Sequence, residues 1–204
     1  MLGAIQKLLR LCAHPYSLDT YDAGRNDIRC PKLDVTIKIL QDVRSANEKA
    51  IIFTDFKQIQ RILQSRIWKE FNIRPDIING EVNYNRQQII DIFSKKKGFN
   101  IIILGHQVAG VGLNITAANN VIHYTRPWNP AKENQATDRA YRIGQLKPVT
   151  VYYPIVKNPD FKTVEVRLAE LIESKQDLAT DVLRPTKEMQ IKTEDLLHCI
   201  DEIA

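Results

Sequence analysis

At 204 residues the chain has room for one compact domain, or one domain with an appendage, and for a sizeable hydrophobic core. Hydrophobic residues at 44% and charged residues at 26% are ordinary for a soluble globular protein, and no apolar stretch approaches the length of a membrane span. The formal charge of +5 is compatible with a polyanionic partner but is weak support for one.

Apolar residues recur at helical spacing from Ile5 to Cys12, and His14-Pro15 ends that helix because a residue before proline avoids the helical region. The polar stretch SLDTYDAGRNDIRC reads as a loop. PKLDVTIKILQDVRS opens with proline and places Leu33, Ile37, Leu40 and Val43 on one helical face. KAIIFTDF is a short apolar strand of the kind buried in a parallel sheet. KQIQRILQSRIWKEF follows as a helix with Ile59, Ile62, Leu63 and Ile67 inward. PDIING is a strand ending at Gly80, and NRQQIIDIFSKKK is a helix. NIIIL, NNVIHYT and VTVYYPIV complete the strands. This alternation is the grammar of an α/β open parallel sheet with helices on both faces, which binds ligands at the carboxyl ends of its strands.

The loops after the strands are TDF, NGEVN, GHQVAGVGLN and TRPWNP. The third holds three glycines, which suit a backbone lying close to a phosphate or ribose and equally suit a tight turn. It is not a Walker A loop, since G-x-x-x-x-G-K-[ST] is absent from the 204 residues, nor is it a dinucleotide fingerprint. WNPAKENQATDRAYRIGQ is more specific. Asn129 is placed as an N-cap, Pro130 at the first helical position and Gly144 as the stop, so a helix is expected between them. On it Gln135, Arg139 and Arg142 share a face at i, i+4 and i+7, with Ala136 and Ala140 packing on another side. Two rigidly held guanidinium forks suit a polyphosphate. The plainer alternative is a solvated face on which Asp138 pairs with Arg142.

These strings resemble the C-terminal RecA-like lobe of a Swi/Snf-type ATPase, within the superfamily two helicases, over nearly the whole chain. LLRLCAHPYSL is similar to the family's leading helix and KAIIFTDF to motif IV. GVGLNITAANNVIHYTRPWNPAKENQATDRAYRIGQ matches motifs V and VI, and TVEVRLAELIESKQDLATDVL resembles the helical brace. VYYPIV and NPAKENQATDR resemble the bacterial members in particular. The resemblance implies a leading helix and loop over 1–31, a RecA-like lobe over 32–157, and a helical brace with C-terminal helices over 158–204.

It also implies half of a two-lobed motor that moves on double-stranded DNA without reading its sequence. ATP and Mg2+ would be held mainly by an N-terminal RecA-like lobe of the same parent chain. Arg139 and Arg142 would be arginine fingers, and this lobe alone would be inactive. Gln135 would orient them or touch the phosphates, Gly110 and Gly112 would admit the nucleotide, and Asn114 would lie near the ribose. Thr54, Lys57, Asn83, Arg86, His106 and Gln107 are candidate DNA-backbone contacts, by position and not by residue type. The run Gly105-His106-Gln107-Val108-Ala109-Gly110 departs from the family's Ser-Thr-Lys-Ala-Gly-Gly or Ser-Pro-Lys-Val-Gly-Gly: the hydroxyl that meets a DNA phosphate is gone, the lysine has become Gln107 and the first glycine Ala109. The rival class is a free-standing, non-catalytic module that binds nucleic acid or protein. A start at the mid-protein LLRLCAHP motif favours a piece of a longer chain.

No metal site is expected, because His106 and His123 lack metal-ligand spacing with a cysteine or carboxylate cluster. Cys12, Cys30 and Cys199 are odd in number and widely spaced, so no disulfide framework is expected and a cytosolic (bacterial cytosol or nucleoid) protein is. The early lysine and arginine of MLGAIQKLLRLCAHP argue against a secretory leader. Trp128 is expected to anchor the loop before the arginine helix, SKKKG to be a solvated helix end, and DLLHCIDEIA to be a packing helix.

Overall fold

The computed structural model describes residues 2–17, 29–81, 85–110 and 112–181. Asn83, Cys199 and the DLLHCIDEIA segment lie outside them. In chain order the elements are α1 (Leu2–Ala13), α2 (Pro31–Ser45), β1 (Lys49–Phe53), α3 (Lys57–Phe71), β2 (Asp76–Ile78), α4 (Arg86–Lys95), β3 (Asn100–Leu104), β4 (Asn120–His123), α5 (Pro130–Thr137), β5 (Thr150–Tyr152) and α6 (Val164–Asp181). The five strands form one parallel sheet in the order β2-β3-β1-β4-β5. This is the open parallel α/β arrangement expected from the alternation of elements, in the RecA-like form that the family resemblance implied.

The three central strands are buried throughout and mostly apolar, because helices cover both faces. β1 and β3 run in register from Lys49 opposite Asn100 to Phe53 opposite Leu104. Successive residues point to opposite faces. Ala50, Ile52, Ile101, Ile103 and Ile122 pack under α2 and α3, whereas Ile51, Phe53, Ile102, Leu104 and Val121 pack with Ile90 and Phe93 of α4 and Ala136 of α5. The edge strands β2 and β5 are short and partly exposed.

Helix ends follow local chemistry. Pro31 opens α2 at a position where its missing N–H costs nothing. Asn72 closes α3 in the left-handed region at φ 54°. The SKKKG stretch is the exposed end of α4, as expected.

The two outer segments meet above the carboxyl ends of β1 and β4. Ile5 and Leu9 of α1 pack on Leu168 and Ile172 of α6, with Trp128 and Phe56 against them. Trp128 is therefore an anchor, as its loop position implied. A buried ion pair between Lys32 and Glu165 ties α2 to α6, and the Tyr124 hydroxyl donates to the Ala13 carbonyl at 2.6 Å. No helix among the described residues is long and apolar enough to cross a membrane.

Candidate functional site

The site is built from the loops that leave β1, β3 and β4. After β3 the chain makes a tight 3-10 turn from His106 to Gly110. At Gly112 the backbone adopts φ +69°, and a Cβ there would meet nothing within 4 Å. Conformation, not crowding, demands glycine at this point. Leu113 and Ile115 then turn into the core and leave Asn114 exposed between them.

After β4, Arg126 and Glu133 form a buried bidentate pair at 2.8 and 2.7 Å, with the guanidinium 4.4 Å from the Tyr153 ring centroid. Burial works against the Arg126 charge, but Glu133 outweighs it and holds the guanidinium protonated. Asn129 caps α5 by accepting the Ala131 amide at 2.9 Å, and Pro130 takes the first helical position. Both were legible in the sequence.

The far end of α5 corrects an expectation. The helix stops at Thr137, so Gln135, Arg139 and Arg142 do not share one continuous helical face. The reason is tertiary. The Arg139 carbonyl accepts the Ile115 amide at 2.9 Å, and Ala140 sinks to full burial beside Leu113 and Ile115. Those contacts bend the chain into successive turns, with Tyr141 N–H bonded to Thr137 O at 3.1 Å and Gln145 N–H to Arg142 O at 2.9 Å. Gly144, expected as the helix stop, lies seven residues beyond the end of α5, in a turn at φ +101°. No ion pair joins Asp138 to Arg142 among the described residues.

The arginine segment is bolted to the loop after β3. Arg139 Nη1 donates to the Leu113 carbonyl at 3.4 Å, while its Nε is buried without a partner. The Gln145 side-chain amide reaches the carbonyls of Thr116 at 3.0 Å, Ala118 at 2.8 Å and Ala140 at 3.2 Å. Below it Glu48 accepts from Asn119, Asn120 and Lys147, and the Asn120, Lys147 and Asn119 bonds push its carboxyl down to about 2. Arg142 is exposed and its guanidinium has no partner among the described residues. Gln135 is exposed one turn earlier.

The candidate DNA contacts divide. Lys57 is exposed and paired with Glu81 at 2.6 Å, Gln107 is exposed, and Arg86 is half-buried with Nη2 at 3.5 Å from Asn79 O. Thr54 and His106 point inward instead. Thr54 is fully buried and its hydroxyl accepts from Thr125 at 2.9 Å. His106, 2% exposed, bonds through Nδ1 to Asp55 at 3.1 Å and through Nε2 to His123 at 3.2 Å. Partial burial opposes ionisation of Asp55, but the bonds and charge of His106 prevail and hold its carboxyl below the usual range. Asp55 comes this close because Gly105 has no side chain: a Cβ there would lie 3.2 Å from Asp55 Oδ1. Sequence reasoning assigned no role to Asp55, Glu133 or Gln145. Asp55 and Gln145 act across long separations, and Glu133 reaches back from α5 to Arg126 in the preceding loop, relations that no periodicity reveals.

A family model described as the helicase conserved C-terminal domain matches residues 31–144. The chain belongs to the Swi2/Snf2 family, as a helicase C-terminal lobe. It is 44% identical over 196 residues to Zorya protein ZorD of Escherichia coli O139:H28, covering 93% of this chain and 18% of that protein. The Sulfolobus solfataricus SWI2/SNF2 ATPase core domain superposes with a TM-score of 0.73 at 30% identity, over 97% of this chain and 40% of that one. The same core in complex with dsDNA gives 0.69 at 31% identity, over 89% and 37%. The chain thus spans about a fifth of the length of the curated relatives it matches.

Proposed function

We propose that the chain is the C-terminal motor lobe of an ATP-dependent double-stranded-DNA translocase. Arg139 and Arg142 act as arginine fingers toward ATP and Mg2+ held by an N-terminal lobe of the parent chain. The reading rests on one observation above the rest: a segment fixed through its backbone and Gln145 carries two guanidiniums with unused donors, one of them fully outward. Preorganised donors of this kind stabilise the charge that develops on a transferring phosphoryl group. Gln135, Gly110, Gly112 and Asn114 border that segment or the loop bonded to it and complete the nucleotide side.

Among the described members of the candidate set, Lys57 and Gln107 are exposed and Arg86 is half-buried, and these three suit backbone contacts to duplex DNA. The solved Sulfolobus relative in complex with dsDNA supports the choice of duplex as partner. Lys57 opens α3, Arg86 opens α4 and Gln107 lies in the turn after β3, positions that suit phosphate contacts, which carry no base code, so the grip is indifferent to sequence.

The test compares ATP hydrolysis by the 204-residue chain with that of a polypeptide in which it is joined to a lobe bearing the phosphate-cradling loop, each with and without plasmid DNA. The chain alone is expected to be inactive and the joined form DNA-stimulated. Robust hydrolysis by the chain alone, or a joined form indifferent to DNA, overturns the reading.

A further inference from the structure

Four polar side chains from four separate segments form one unbroken hydrogen-bonded line through the interior. Asp55, after β1, meets His106 Nδ1 at 3.1 Å. His106 Nε2 lies 3.2 Å from His123 Nδ1, at the end of β4. His123 Nε2 lies 2.9 Å from the hydroxyl of Thr137, the last residue of α5. That hydroxyl is also 3.2 Å from the Glu133 carbonyl, one turn earlier. The two imidazoles stack at 5.4 Å, sandwiched with Phe53 and Tyr153 at 5.3 Å. One end of the line therefore sits beside Gln107 in the loops read as DNA-facing. The other end sits where the arginine segment leaves α5.

Proton counting leaves two arrangements. With His106 neutral, its Nδ1–H is donated to Asp55 and its Nε2 accepts from His123 Nδ1–H. His123 Nε2 then accepts the Thr137 hydroxyl, and Glu133 O receives nothing from it. With one more proton, taken from solvent, His106 donates from both nitrogens. His123 becomes the other tautomer and donates from Nε2 to Thr137, whose hydroxyl turns to the Glu133 carbonyl. No heavy atom changes partner, but every bond between His106 and Thr137 reverses.

We propose that Asp55, His106, His123 and Thr137 are a proton-switched positioning relay, in which the charge on His106 sets the hydrogen bond that closes the last turn of α5 and so the stance of Arg139 and Arg142. It rests on the reading of those arginines as ATP-facing. The proton goes to His106 because Asp55 faces it. His123 faces the Arg126–Glu133 pair and the Tyr153 ring, and burial, then the charges of His106 and Arg126, keep it well below the ordinary imidazole range. Neither histidine touches substrate, so both act through the segment they support.

Long-range 1H–15N correlation spectra of the 204-residue chain, taken across the imidazole range of about pH 5 to 8, decide the matter. The expected result is one transition in which His106 gains a proton, His123 changes tautomer while staying neutral, and the Arg139 and Arg142 amides shift with the same midpoint. Thr137→Val should keep the His106 transition and abolish the amide response. A His123 that holds one tautomer throughout, or arginine amides that are unmoved or titrate identically in Thr137→Val, overturns the relay. In a two-lobed polypeptide, His106→Asn keeps a donor to Asp55 but loses the link to His123, and should remove the component of the pH profile of DNA-stimulated turnover that titrates with His106. A profile that keeps that component also overturns the relay. A wild-type protein with the spectroscopic switch but no DNA-stimulated hydrolysis overturns the ATP-facing reading while supporting the relay.

Discussion

The Arg139 carbonyl accepts the Ile115 amide at 2.9 Å, across a sequence separation that no helix spans. This bond sets the arginine segment against the loop after β3, so the residues proposed to face a nucleotide are fixed through their backbone, Arg139 also through its Nη1 bond to Leu113, while the Arg142 side chain is exposed.

If that arrangement serves phosphoryl transfer, Arg139→Ala or Arg142→Ala in a two-lobed enzyme should lower turnover by on the order of 10³–10⁵ while DNA binding persists. Lysine should restore little, because a point charge lacks the planar fork. Arg142→Ala should leave the melting temperature near wild type, since the exposed side chain has no partner among the described residues. DNA-stimulated hydrolysis near wild type in Arg142→Ala would remove Arg142 from the finger assignment.

Gln145→Ala strips one amide from three carbonyls. A loss of about 1–3 kcal/mol in urea unfolding is expected, the range for buried polar groups left unpaired. Hydrogen exchange at Ile115 and Gln145 should quicken more than in β1. Uniform acceleration across the sheet would show that Gln145 supports global stability only.

Glu133→Ala leaves the Arg126 guanidinium without its counter-ion in a nearly closed environment. Breaking a buried pair from one side costs about 3–5 kcal/mol. A denaturation midpoint within error of wild type would contradict that account, and Arg126→Met/Glu133→Leu together should recover part of the loss.

Acid should destabilise the fold. His123 and His14 are both pushed below the ordinary 6.5 by burial, so the folded chain keeps them neutral where the unfolded chain binds protons. Their contribution is complete above that value and is lost as pH falls below it, by about 1.4 kcal/mol per unit for each group until its folded value is reached. Glu48, held at about 2 against an ordinary 4.5, adds a second loss at lower pH, since its contribution is present above 4.5 and disappears toward 2. Urea midpoints measured at stepped pH should therefore fall on acidification, and a rise between neutral and mildly acid pH would refute the assignment.

Duplex binding by the chain should be weak, sequence-independent and steeply salt-dependent, with a log–log slope of about −0.9 per phosphate neutralised. Lys57→Ala and Arg86→Ala should each flatten it by about one contact. A marked preference for one DNA sequence would contradict backbone-only contact.

Much of this architecture was written in local pattern. The apolar runs of β1, β3 and β4, the proline that opens α2 and the Asn129-Pro130 start of α5 are decided by residues within a few positions of one another, as are strand burial and helix capping. Tertiary structure alone decided that α5 ends at Thr137, because the competing bond comes from Ile115, and that Thr54 and His106 face inward, because Thr125 and Asp55 hold them there. Local spacing specifies which conformation a segment prefers. Where a distant donor, acceptor or cavity offers more than the next helical turn, the packed chain takes the distant partner, and that choice exists only once the sheet has brought the loops together.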